Sequence, residues 1–174
     1  MRASSRTRAL HQAFLAPFDG AACAGNDLNS KPLVVDMELP LPPRLRLYMY
    51  TLVGGFGTKR DFEYKAVLRL REHPVGEYRS FDHSGGRLAL LAAYRSDLDV
   101  FVLWDASLHP RFKNGGNIQV RTETVISAAA TGYAEQQRRL RSGHIEVVMA
   151  CTSPELPRTL VRRVSGIGGV YVAV

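Results

Sequence analysis

Cysteine is scarce in this 174-residue chain: Cys23 and Cys151 lie far apart, and neither belongs to a Cys-x-x-Cys or Cys/His pattern. That argues against a zinc ribbon, a redox pair and a disulfide framework, and it fits a reduced, cytosolic protein. No apolar run approaches the roughly 20 residues that span a bilayer, and residues 1–17 mix Arg, Gln and His where a secretory leader would be apolar. Lysine is confined to Lys31, Lys59, Lys65 and Lys113, and tryptophan to Trp104. Also missing is a Gly-rich phosphate loop ending in Lys-Ser/Thr: Gly54-Gly55-Phe56-Gly57-Thr58-Lys59 lacks its spacing and a following helix. Without a Gly-x-Ser-x-Gly elbow, His83 and its neighbours Ser80 and Ser84 make no hydrolase triad. Internal repeats and low-complexity tracts are absent from the sequence.

Positive charge is what the chain has in surplus. Lys and Arg number 23 against 16 Asp and Glu, a formal net charge of +7, with a pI near 9.8. A polyanion is the natural partner for such a surface, because each phosphate contact releases condensed counterions. Arginines crowd at Arg2, Arg6 and Arg8, then at Arg138, Arg139 and Arg141, and again at Arg158, Arg162 and Arg163. Each cluster taken alone also reads as an ordinary solvated face. At this length a single core suffices, and one domain is expected.

Apolar spacing predicts a short helix over residues 4–15, closed by Pro17 and Asp19-Gly20. Residues 20–43, rich in Gly, Asn, Ser and Pro, read as a surface loop with one short extended piece at 33–35. From Leu45 the period becomes two: Leu45, Leu47, Met49 and Thr51 alternate with Arg44, Arg46, Tyr48 and Tyr50, as in a half-buried strand. Further strands are expected at 64–70, 88–94 and 100–104, forming a meander, and then at 117–120 and 145–150. Helices are expected from Thr122, as a cap, to Gly132, and from about Ser153 to Val164. The apolar run Val170-Tyr171-Val172-Ala173-Val174 is expected to form a strand leading toward another domain.

Four segments place polar or aromatic groups at the ends of apolar runs. Glu63-Tyr64-Lys65 matches the Glu-x-Lys half of a nuclease pattern, with Asp36 or Asp61 as the further carboxylate and Mg2+ as the metal. The plain alternative is an ion pair on a strand, or a phosphate contact. Phe81-Asp82-His83-Ser84-Gly85-Gly86 can bind a phosphate or a base edge, or can simply be a turn in which Asp82 and Ser84 bond their own backbone. Trp104 can stack on an extruded base or fill the core. Lys113-Asn114-Gly115-Gly116-Asn117-Ile118-Gln119 joins a flexible glycine pair to amides suited to an adenine edge, or is a good turn.

In the order in which they occur, Tyr48-Met49-Tyr50-Thr51-Leu52, Glu63-Tyr64-Lys65, Phe81-Asp82-His83-Ser84, Asp99 to Ala106 and Asn117-Ile118-Gln119-Val120 resemble N-terminal recognition domains of bacterial restriction endonucleases. These are the methyl-directed HNH type and related proteins, often SRA-like or of another pseudo-barrel fold. The resemblance implies an α+β domain with a curved mixed or antiparallel sheet, and a DNA-recognition module that senses a modified cytosine. Cleavage would then belong to a nuclease domain in the same or a neighbouring chain, since no His-Asn-His motif occurs here.

The expectation is therefore a bacterial-defence module on duplex DNA, methylated or plain, as monomer or homodimer, needing no cofactor. Arg44, Arg46, Arg60 and Lys65 would meet phosphates. Asp82, His83, Ser84, Asn117 and Gln119 would read a base, and Tyr48, Tyr64 or Trp104 would stack. The alternatives are a Mg2+-dependent nuclease of the PD-(D/E)xK kind using Glu63, Lys65 and Asp36 or Asp61, and an interaction scaffold in a defence complex.

Overall fold

The alternation written into the strands is realised twice over, because both faces of the main sheet are covered. The computed structural model describes residues 2–42 and 44–166. In chain order these form α1 (Arg2–Leu15), β1 (Ala22–Ala24), β2 (Leu33–Met37), β3 (Arg44–Thr51), β4 (Val53–Gly54), β5 (Glu63–Leu68), β6 (Tyr78–Arg79), β7 (Leu88–Arg95) and β8 (Val100–Trp104). Then come β9 (Phe112–Lys113), β10 (Gly116–Arg121), α2 (Thr122–Thr131), β11 (Tyr133–Arg139), β12 (Ile145–Thr152) and α3 (Leu156–Ser165).

Seven strands make an open sheet in the order β1-β2-β3-β7-β8-β12-β11, and a smaller sheet runs β10-β5-β4. One face of the large sheet packs Leu45, Leu47, Met49, Leu90, Phe101 and Leu103 against Phe14 of α1 and Leu156 and Leu160 of α3. The other packs Tyr48, Tyr50, Leu91, Val102 and Trp104 against Tyr64, Ala66, Ile118 and Val120 of the small sheet and Val125 of α2. All five residues of β8 are therefore buried. Burying a large aliphatic or aromatic side chain stabilises by roughly 1.5–3 kcal/mol, so this double layer dominates the energetics.

Several expectations are corrected. The strands do not form a meander: β5 leaves for the small sheet, and β3 pairs parallel with β7, Leu45 opposite Leu88 and Thr51 opposite Tyr94. Among the described residues no barrel closes, so the fold is α+β with an open mixed sheet. Instead of a half-buried strand, β3 has Tyr48 and Tyr50 buried along with Leu47. The 20–43 loop contributes β1 and β2, because Val34 and Val35 extend onto β3 despite their prolines.

The basic stretch before Gly143 is β11, an edge strand whose charged residues discourage pairing with another chain. Thr122 is not a cap. It is the first residue of α2, and its hydroxyl donates to the Asp61 carbonyl at 2.7 Å. Gly132 does close α2, at φ 95°. The expected strand at 170–174 falls outside the described residues.

Candidate nucleic-acid interface

The outer face of the small sheet follows from its alternation. With Tyr64, Ala66, Leu68, Ile118 and Val120 buried, Glu63, Lys65, Asn117, Gln119 and Arg121 take the opposite face. Register places Lys65 directly across from Gln119, Glu63 across from Arg121, and Val67 across from Asn117. Arg60 reaches this face from the preceding loop and donates to Glu63 Oε1 at 3.0 Å. The strand carrying Gln119 is anchored from beneath, since its carbonyl accepts from Trp104 Nε1 at 3.1 Å and Arg138 Nη1 at 3.2 Å. That arrangement offers three cations, one carboxylate and two amides on a rigid backbone.

At one end of this sheet lie two aromatics that sequence reasoning passed over. Phe56 and Phe62 are each 74% exposed, and they line a cleft of about 580 Å3 with Asp61, Arg121, Thr122, Glu123, Ile126 and Ser127. Phe62 is held out by the start of α2, where Thr122 N donates to the Phe62 carbonyl at 2.9 Å. The Phe56 loop depends on Gly55: its φ is +84°, and a Cβ there would sit 2.3 Å from Cζ of Tyr64. A signal existed in Gly54-Gly55-Phe56-Gly57, where an aromatic in a glycine turn has no strand to bury it.

The 81–86 loop assembles a second polar group, at the head of the large sheet. Asp82 N donates to the Tyr48 hydroxyl at 3.0 Å, and Ser84 N donates to Asp82 Oδ1 at 2.8 Å. Arg46 pairs with Asp82 at 3.3 Å and donates to the Ser84 carbonyl. Hydrogen bonds from Ser84, with the nearby Arg46 and His83 charges, hold the Asp82 carboxyl below its ordinary pKa. Arg44 and His83 are exposed beside them. Asp82 and Ser84 thus serve the turn, while His83 and Arg44 face outward.

Three stacking assignments are overturned by burial. Trp104 is wholly enclosed, and Tyr64 and Tyr48 are core residues, because the small sheet covers that face of the large one. Asn114 is no part of a flexible stretch. Its buried side chain accepts from Leu70 N at 2.8 Å and donates to the carbonyls of Leu70, His73 and Pro74.

Of the nuclease constellation, Asp36 does not join Glu63 and Lys65. Asp36 lies on β2 of the large sheet, where it pairs with Arg87 at 2.9 Å, whereas Glu63 and Asp61 belong to the small-sheet side. Among the described residues no group of three or more His, Cys, Asp or Glu side chains is placed to share a metal ion.

Behind the interface is a buried charge cluster. Glu146 accepts from Arg138 Nε at 2.7 Å, His109 Nε2 at 2.8 Å and Asp105 N at 3.1 Å. Burial pushes its pKa up, but His109 and Arg138 outweigh burial and hold the carboxyl below its ordinary range. Arg163, also buried, lies 3.7 Å from Asp105 and donates to the carbonyls of Val147 and Gly166. These bonds lock β10, β11, β12 and α3 together, and their role is positional.

The fold and these surfaces define an α+β module with exposed polar strand ends rather than a closed-barrel reader. Residues 43–160 match the Methylase-associated X1 family, and the chain belongs to that family. The family is compatible with a module of a restriction–modification system. No curated protein and no solved structure matches the chain. None of its described helices is long and apolar enough to cross a membrane.

Proposed function

We propose that the chain is a DNA-binding module that works beside a methylase, reading duplex DNA and sensing a modified base. The observation that carries this reading is the outer face of the small sheet, where Lys65 and Gln119 stand opposite each other with Asn117 and Arg121 alongside. Lys65, Arg60 and Arg121 contact phosphates, and Asn117 and Gln119 present amides to a base edge. Stacking passes from Trp104 to Phe62 and Phe56, whose rings flank the adjacent cleft. A modified base entering that cleft meets an apolar wall suited to a methyl group. The buried charge cluster keeps the surface rigid.

The test is a binding panel of plain, methylated, hydroxymethylated and phosphorothioate duplexes across a salt series, with and without Mg2+. The expected outcome is salt-dependent binding that favours one modified duplex and weakens in Lys65→Met and Gln119→Ala. Absence of binding to every duplex at low salt removes the proposal, and Mg2+-dependent cutting transfers it to the nuclease reading.

A further inference from the structure

A second groove, of about 540 Å3, opens on the large-sheet side between the 27–32 loop, Tyr48, residues 69–73, Ser80 and Asp82. Its volume lies in the roughly 300–1,000 Å3 range of small-ligand sites. Lys31 is its unusual member. The ammonium sits 4.0 Å from the centroid of the Tyr50 ring, and burial together with the Arg71 charge lowers its pKa to about 8.

No described carboxylate pairs with Lys31, although three lie around the groove. Asp27 accepts from the backbone and side-chain amides of Asn29, each at 3.0 Å. Asp82 is engaged by Arg46 and Ser84, and Glu72 is exposed. Arg69 stands exposed at the rim, and His73 completes the titratable set. The buried hydroxyl of Tyr50, whose ring carries the Lys31 ammonium, also lacks a hydrogen-bond partner among the described residues.

A desolvated cation without a counter-charge is costly, and a second cation nearby raises the cost. For Lys31 that cost is relieved by an anion from outside. We propose that this groove is a phosphate site, in which Lys31 and Arg71 take the phosphoryl oxygens of a nucleotide or of a nucleic-acid terminus while Arg69 guides it in. A phosphate fits better than a carboxylate, since its several oxygens can accept from both side chains at once. The site goes beyond the duplex-reading face, which belongs to the other sheet, and it does not depend on it.

The experiment is calorimetric titration of the intact chain with inorganic phosphate, dAMP, and a short single strand bearing either a 5′-phosphate or a 5′-hydroxyl, in buffers of differing ionisation heat. The expected results are saturable binding of the phosphate-bearing probes, with proton uptake around pH 8 as the anion restores the Lys31 charge. Lys31→Met and, separately, Arg71→Gln each weaken it about tenfold or more, a loss of ~1.4 kcal/mol, with an unchanged circular dichroism spectrum. Lys65→Met leaves this binding intact, so failure of the duplex reading and failure of the phosphate site are told apart. Preference for dAMP identifies a free nucleotide as the ligand, and preference for the 5′-phosphorylated strand identifies a polynucleotide end. Absence of saturable phosphate binding, or equal affinity in Lys31→Met and wild type, overturns the proposal.

Discussion

Replacing Lys31 with methionine should make the unliganded protein more stable, and the gain should depend on pH in a direction that burial dictates. Burial and Arg71 displace the Lys31 ammonium from 10.5 to about 8. At ~1.4 kcal/mol per pH unit, that corresponds to about 3 kcal/mol of destabilisation by the charged form. Below pH 8 the amine is protonated both folded and unfolded, and the whole penalty is present. Between about 8 and 10.5 the unfolded chain binds the extra proton, so wild-type stability rises with pH, and above 10.5 this penalty is gone.

Methionine keeps the stem over Tyr50 and removes the charge. Losing the cation–π contact costs roughly 0.5–1 kcal/mol, which leaves a net gain of about 2 kcal/mol at neutral pH, or roughly 4–8 °C in Tm for a chain of this size. Differential scanning calorimetry of both proteins from neutral to alkaline pH measures it. A Tm in the variant equal to or below wild type at neutral pH, or a difference that does not shrink as pH climbs past 8, refutes the reasoning. At a phosphate concentration near the wild-type Kd, the ligand should also raise the wild-type Tm more than that of the variant.

Three other outcomes follow from the same structure. Glu146→Ala strands Arg138 and His109 beside a buried void and should cost about 3–5 kcal/mol in chemical denaturation. Because the Glu146 carboxyl is held below 4.5, the stability it supplies is present above that pH, and the deficit should narrow as acid protonates it. Gly55→Ala drives a methyl into the Tyr64 ring at a positive φ. It should lower stability by about 1–3 kcal/mol in urea and loosen the Phe56 loop. Phe62→Ala, on an exposed ring, should leave Tm nearly unchanged while weakening binding of the preferred modified duplex by about 1–3 kcal/mol in fluorescence anisotropy.

Much of the local structure was legible because alternation and punctuation are short-range signals. The 100–104 strand agrees with β8 at both ends, and Gly132 stops α2 where a left-handed glycine should. The edge strand β11 was harder to see, since Tyr133-Ala134-Glu135-Gln136-Gln137-Arg138-Arg139 has little apolar alternation and draws its partner from β12. Of the interface, the Lys65–Gln119 pairing rested on motifs visible in the chain, although their adjacency needed the register of β5 against β10. Lys31 carried no sequence signal at all. It stands in a Ser-Lys-Pro loop, and only the closing of that loop over Tyr50 removes its water.

The chain's own composition and periodicity determine the cationic surplus, the α+β class and the strand faces, because charge is additive and side chains alternate with a period of two. Only the tertiary structure decided which faces stay exposed. Laying the small sheet over the large one sealed Trp104, Tyr64 and Tyr48 and brought Phe56 and Phe62 to the rim. A residue's access to solvent depends on what packs above it, and that covering layer comes from residues distant in sequence.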